Sequence, residues 1–136
     1  MPRVLAVDFG EKRIGLATAD TSLGLATPRR TLSRSSDDAA AGEIARFCRE
    51  EEIERLLVGF PRSPEGEASA ITPRIRSFAE KLARATSLPV ELHEETLSSD
   101  EAARRLRGRR SRAGLDAEAA AVLLEDWLAH RGRETA

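Results

Sequence analysis

The chain has 136 residues, of which 40% are hydrophobic and 33% are charged, and its net charge is −1. This balance is typical of a globular chain rather than a disordered one, and the lack of a long apolar run or a signal peptide predicts a cytoplasmic protein without a membrane partner. The single cysteine, Cys48, excludes an internal disulfide bond and a cysteine-based zinc site, and its helical apolar neighbours favour a core thiol.

The first third of the chain predicts three strands. Arg3–Phe9 alternates apolar residues over two faces and carries Asp8 near its end. Arg13–Ala19 follows after a short turn, so these two strands should pair antiparallel. Leu23–Leu32 is a weaker third strand, in which Pro28 indicates an edge position or a strand end.

The rest of the chain alternates helices and strands. Serine and aspartate residues at positions 35–38 predict a helix start. The later elements are a strand Arg55–Gly59, a helix containing Ile71 and Leu82, a strand Pro89–His93, a short helix from Ser98, and a final helix Asp116–His130 with a fraying tail.

This element order predicts an α/β fold, with one domain over residues 1–136. We expect a five-stranded mixed sheet, with three antiparallel and two parallel strands, and helices packed on it. The first strand can pair both with the second strand and with a later parallel strand. It should therefore lie near the middle of the sheet.

Three acidic positions stand out in this arrangement. Asp8 ends the first strand, Glu95 follows the last strand together with Glu94, and Asp116 begins the last helix on its apolar face. The ends of parallel strands meet at one sheet edge, which is the usual ligand site of open α/β sheets. Converging carboxylates repel each other, and Mg²⁺ or Mn²⁺ relieves that repulsion. Two such ions are the standard arrangement for phosphodiester hydrolysis.

Each acid also has a structural interpretation. Asp116 could be a simple N-cap, and Glu94 and Glu95 could be solvated loop acids. The turn after Asp8 also looks like the first phosphate loop of actin-like ATPases, but those proteins need two large lobes and this chain is too short for two. His93 could help proton transfer, although such a residue more often closes a strand, and it is not counted in the site.

Nearly all of the basic residues are arginines, since Lys12 and Lys81 are the only lysines among 22. The planar fork of arginine suits phosphate better than the point charge of lysine. In the first turn, Lys12 and Arg13 could contact a phosphate near the metals or form a solvated hairpin tip. A second cluster could bind a nucleic-acid backbone or form a solvated loop, and it consists of Arg104, Arg105, Arg107, Arg109, Arg110 and Arg112.

Four stretches make the chain resemble the bacterial YqgF/RuvX family, which has a ribonuclease H-like fold. They are VDFGEKRIGLA (Val7–Ala17), VGFP with the later Gly66 (Val58–Pro61), LHEETLSS (Leu92–Ser99) and DAEAAAVLLEDWL (Asp116–Leu128). These stretches span nearly the whole chain in the order that the family has. The chain departs from the family at Thr96, where arginine is usual, and at Glu118, where an apolar residue is more usual.

The resemblance implies a nuclease that matures the 5′ end of precursor 16S ribosomal RNA or cleaves Holliday junctions. It implies Asp8, Glu95 and Asp116 as the catalytic, metal-binding acids, with Mg²⁺ or Mn²⁺ as cofactor. Expected partners are structured RNA and DNA junctions, and the expected state is a monomer or weak dimer. A binding factor without turnover and a small nucleotide-binding ATPase stay open as alternatives. The expected substrate-binding residues are Lys12, Arg13, Arg107, Arg109 and Arg110.

Overall fold

A computed structural model describes residues 3–9, 12–22, 24–33, 35–61, 72–95 and 115–135. The strands are β1 (Arg3–Phe9), β2 (Arg13–Asp20), β3 (Ala26–Ser33), β4 (Arg55–Pro61) and β5 (Val90–Glu95). The helices are α1 (Asp37–Glu50), α2 (Thr72–Thr86) and α3 (Leu115–Thr135). The short helix expected from Ser98 lies outside the described residues, and every other predicted element has a counterpart.

The five described strands form one mixed sheet in the order β3-β2-β1-β4-β5. Strand β1 lies in the centre, antiparallel to β2 and parallel to β4, and β5 extends the parallel side. Strand β3 lies at an edge, where the register shifts next to Pro28. An edge position suits proline, which has no N–H to donate to a neighbouring strand. The predicted fold class and the central position of the first strand are confirmed.

Helices cover both faces of the sheet. On one face, Leu5 belongs to a core that includes Phe78 of α2 and the apolar side of α1. On the opposite face, Val4 and Ala6 pack with α3. Because alternate residues of a strand share a face, Asp8 occupies a position on the α3 face of the sheet.

Helix α1 begins where its sequence predicts, and α2 begins at Thr72, while Ile71, which was expected in this helix, lies outside the described residues. The N-cap of α1 is Ser36, whose Oγ accepts a hydrogen bond of 3.1 Å from the backbone nitrogen of Ala39. Acidic residues follow in the first turn, at the positive end of the helix dipole. Helix α2 begins at Thr72 with Pro73 in its first turn, where a missing N–H removes no helical hydrogen bond.

Strand β5 is longer than predicted. Instead of ending at His93, it continues through Glu94 and Glu95, whose Cα atoms pair with those of Phe60 and Pro61 in β4. The sequence analysis ended the strand before these two acids and left open that they are solvated loop residues. Acidic residues are depleted in strands, but pairing with β4 outweighs that preference here, so the backbone of Glu95 is held by the sheet.

Helix α3 also exceeds its predicted bounds, since it begins at Leu115 and continues past His130 to Thr135. The helix thus includes five residues of the segment that was expected to form a tail. Within the described ranges, none of the helices combines the length and the apolarity that crossing a membrane requires.

The interpretation of Cys48 as a core thiol is confirmed, because its side chain is buried on the α1 side of the sheet. Burial raises the pKa of the Cys48 thiol from 9.0 to about 11. Since the thiolate is the reactive form, the folded protein should react with an aromatic disulfide reagent at pH 8 about 100-fold more slowly than the unfolded chain. Labelling rates with and without guanidinium chloride measure this ratio, and equal rates would contradict the buried position.

Candidate active site

Asp8 lies at the C-terminal end of the central strand. Its Cα pairs with Gly15 of β2 on one side and with Gly59 of β4 on the other. The side chain of Asp8 is half-buried. Because both register partners are glycine, no side chain lies directly opposite Asp8 at its own register position.

Gly15 brings the first turn of α3 directly onto the sheet. A Cβ added at Gly15 would lie 1.8 Å from the carbonyl oxygen of Asp116 and 2.7 Å from the backbone nitrogen of Ala117. The backbones of β2 and α3 therefore touch with no side chain between them. Since Gly15 is also the register partner of Asp8, Asp8 and Asp116 reach the same point of the sheet from two distant parts of the chain.

The carboxylate of Asp116 forms an ion pair with Arg13. The Nε atom of Arg13 donates to Oδ2 of Asp116 at 2.8 Å, and the Arg13 side chain is 65% exposed. Helix α3 begins at Leu115, so Asp116 lies within its first turn rather than at the N-cap position. Lys12 is exposed at the start of β2. Lys12 and Arg13, which follow the turn between β1 and β2, thus lie at the same edge of the sheet as Asp8 and Asp116.

Glu95 is the last residue of β5, and its Cα pairs with that of Pro61. Its side chain lies outside the described part of the structure, so the sheet fixes only its backbone position. His93, two residues earlier, pairs with Gly59, which in turn pairs with Asp8. Asp8 and His93 therefore belong to one row across three strands, with their Cα atoms separated by two strand spacings, or roughly 10 Å.

Acidic oxygen ligands at this edge suit a hard divalent cation in type and charge. Asp8 and Asp116 suit such an ion in chemistry, because both are carboxylates and the backbone of Asp116 contacts Gly15, the register partner of Asp8. Carboxylates that converge at one point favour a bound cation over mutual repulsion. An ion held by Asp116 would share that carboxylate with Arg13.

Helix α3 crosses the sheet from this point toward β5. A Cβ at Gly59 would lie 2.5 Å from a methyl carbon of Leu123, so this leucine packs directly on β4. One turn later, Nε1 of Trp127 donates to Oε2 of Glu91, and Asp126 contacts His93. The contact between Asp126 and His93 could not be predicted from the sequence alone, because it depends on the angle at which α3 crosses the strands.

Several predicted features remain without a described environment. Arg107, Arg109 and Arg110 lie outside the described residues, as does the rest of the arginine-rich stretch. Glu118, which departs from the family pattern, is 2% exposed, and its Oε2 accepts no hydrogen bond from the described residues. Nothing in the described part of the chain explains this buried acid.

Sequence comparison relates the chain to one family. The family model RuvX, described as Holliday junction resolvase, matches residues 2–130. A relative from Anaeromyxobacter sp. (strain Fw109-5), named as a candidate pre-16S rRNA nuclease, is 44% identical over 131 residues, which are 93% of this chain and 96% of the relative. A relative of the same name from Maridesulfovibrio salexigens is 36% identical over 132 residues, which are 93% of this chain and 98% of the relative.

Solved structures share the fold. RuvC from Thermus thermophilus superimposes with a TM-score of 0.62 at 15% identity and covers 96% of both chains. The same protein in complex with a Holliday junction substrate gives a TM-score of 0.61 at 18% identity, over 97% of this chain and 96% of that one. This likeness identifies a ribonuclease H-like fold, as the sequence resemblance implied.

Proposed function

Because the chain belongs to the RuvX family, whose description as Holliday junction resolvase is that of a nuclease, we propose that it is a metal-dependent nuclease. Its substrate is the phosphodiester backbone of precursor 16S rRNA, cleaved during maturation of the 5′ end, as the names of its relatives suggest. The observation that supports the proposal is the backbone contact between Asp116 and Gly15, because Gly15 is the register partner of Asp8 at the end of the central strand.

In this proposal Asp8, Glu95 and Asp116 hold the metal ions. Mg²⁺ or Mn²⁺ bound there supplies an activated water and stabilises the leaving oxygen in phosphodiester hydrolysis. The position of Glu95 at the end of β5 supports its inclusion, because its backbone is fixed by pairing with β4. The backbone of Asp8 is fixed by pairing with β2 on one side and β4 on the other, which limits the movement of this proposed metal ligand.

Arg13 binds and orients the phosphate that is cleaved. Its guanidinium group is exposed and lies beside Asp116, so an approaching phosphate can contact it without displacing core residues. Lys12 adds positive charge on the same exposed turn, and arginine residues 107, 109 and 110 bind the flanking backbone. One domain over residues 1–136, acting as a monomer or weak dimer, carries all of these groups.

A Holliday junction resolvase is the second candidate. The description of the matching family favours it directly, and the nucleic-acid backbone presents the same phosphodiester chemistry in both substrates. A resolvase cuts two strands symmetrically, so it needs two active sites at a fixed spacing, which an RNA-trimming enzyme does not.

Direct assay of both substrates tests the proposal. The full chain is incubated with an end-labelled precursor 16S rRNA fragment, with a four-way DNA junction, and with a linear DNA duplex, each in Mg²⁺, Mn²⁺ or EDTA. We expect cleavage of the RNA with either ion and none in EDTA. An Asp8→Asn preparation, purified in parallel, controls for contaminating nucleases and should leave the RNA intact.

The possible results separate the candidates. Cleavage of the junction without cleavage of the RNA would replace the proposed substrate by the second one. Binding of nucleic acid without cleavage in either ion would contradict the nuclease proposal and favour a binding factor.

A further inference from the structure

Both histidines of the chain lie in one polar cluster, displaced from Asp8 along the sheet. His93 belongs to β5, and Asp126 and His130 lie one turn apart on the same face of α3. One ligand atom from each of the three residues lies within 4.8 Å of the other two. The side chains of His93 and Asp126 are 16% and 15% exposed, and that of His130 is 45% exposed. The cluster is thus enclosed on two sides and open to solvent on the third.

The distances in the cluster are close to those of a tetrahedral metal site. Nε2 of His93 lies 3.0 Å from Oδ2 of Asp126, and Nδ1 of His130 lies 3.7 Å from Oδ1. A tetrahedral ion with metal–ligand bonds of about 2.0–2.2 Å holds its ligand atoms roughly 3.3–3.6 Å apart. The two imidazole rings meet edge to face with centroids 5.8 Å apart. Binding of one ion would draw the three ligand atoms closer than the 4.8 Å within which they now lie.

The ring of His130 is already oriented by the main chain. Its Nδ1 atom lies 2.8 Å from the carbonyl oxygen of Asp126. Nδ1 is also the ring nitrogen that lies 3.7 Å from Oδ1 of Asp126. Binding of an ion through Nδ1 therefore replaces the contact with the carbonyl oxygen, and Nε2 then carries the proton of the neutral ring.

We propose that His93, Asp126 and His130 bind one divalent transition-metal ion of the Zn²⁺ class, with a fourth position open to solvent. Two imidazoles and one carboxylate are the donor set of zinc sites that keep an open position. Imidazole nitrogen favours such ions over Mg²⁺, which prefers oxygen ligands and keeps its waters. The site is therefore distinct in ligand chemistry from the all-carboxylate site at Asp8.

The bound ion joins an edge of the described sheet to the helix that covers it. Strand β5 has one neighbour in that sheet, β4, and Glu95 lies two residues beyond His93. A coordinate bond from His93 to α3 adds a second attachment near the end of the strand. The inference concerns metal binding alone and does not depend on nuclease activity.

Titration of the untagged, metal-free full chain with Zn²⁺ tests the proposal, with binding measured by calorimetry. We expect one equivalent of Zn²⁺ that a large excess of Mg²⁺ does not displace. His130→Ala and Asp126→Asn should each lower the affinity at least about 100-fold, because loss of a ligand exceeds the tenfold to 100-fold effect of outer contacts. The visible absorption spectrum of bound Co²⁺ should show nitrogen and oxygen coordination in the wild type and disappear in both variants.

A control variant separates this site from other carboxylates on α3. Glu125→Gln, which removes a neighbouring acid, should bind Zn²⁺ as the wild type does. The proposal is overturned if the wild type binds less than one equivalent. It is also overturned if folded His130→Ala binds Zn²⁺ as tightly as the wild type, which would leave His93 and Asp126 as a simple ion pair.

Discussion

Asp8→Asn and Asp116→Asn should each lower the rate of RNA cleavage at least about 100-fold while leaving the protein folded. An amide in place of a carboxylate removes the negative charge that attracts a divalent ion. Loss of the ligand itself should exceed the tenfold to 100-fold effects seen when outer partners of a metal are changed. Single-turnover cleavage in Mg²⁺ and in Mn²⁺ measures the rates, and circular dichroism with a thermal melt checks the fold.

The matched control for Asp116 is Arg13→Gln. Both variants break the ion pair between Arg13 and Asp116, which is largely exposed and should contribute at most about 1 kcal/mol to stability. If Asp116 is a ligand, Asp116→Asn loses cleavage far more completely than Arg13→Gln, whose main effect should be weaker substrate binding. Wild-type cleavage by a folded Asp116→Asn variant would show that this aspartate has only a structural role.

Gly15→Ala should destabilise the protein by at least about 3 kcal/mol, equal to a fall in Tm of roughly 10 °C. The added methyl group would lie 1.8 Å from a backbone oxygen of α3, and backbone atoms cannot move aside as a flexible side chain can. Helix α3 must then separate from β2 and carry Asp116 away from Asp8. Since a shift of about 1 Å in an active site can cost about 100-fold in rate, cleavage should fall even in the molecules that remain folded.

Gly42→Ala provides the control for this substitution. Gly42 lies in the middle of α1, and a Cβ there would meet no atom within 4 Å. Alanine is favoured over glycine inside a helix, so this variant should gain about 0.5–1 kcal/mol. Thermal and urea denaturation of both variants measure the two changes. A loss below about 1 kcal/mol for Gly15→Ala would contradict the direct contact between β2 and α3.

Sheet architecture could be predicted because it depends on patterns within each segment. The alternation in Arg3–Phe9 and the short turn that follows it predict the antiparallel pair, and the buried apolar strand Arg55–Gly59 predicts the parallel partner. The end of β5 could not be placed in this way. Its last two residues are both acids, and only the neighbouring strand keeps them extended.

The same distinction applies to the candidate site, where features within one segment could be predicted and contacts between distant segments could not. Asp8 could be singled out from the sequence, since an acid in an apolar strand needs a reason for its position. The contact between Gly15 and Asp116 could not, because it joins residues far apart in the chain and depends on how closely α3 packs. The partner of His93 on α3 could not be predicted either, since it becomes visible only once the crossing of the helix is known.

The contact between Leu123 and Gly59 lies between the two ends of this crossing, and an α-helix is stiff over such a distance. With a rise of 1.5 Å per residue, Asp116 lies about 10 Å from that contact on one side and Asp126 about 4.5 Å on the other. If α3 tilts about Leu123, the two aspartates move in opposite directions, and Asp116 moves about twice as far. Such a tilt would therefore magnify a small shift beside β5 into a larger one beside Asp8.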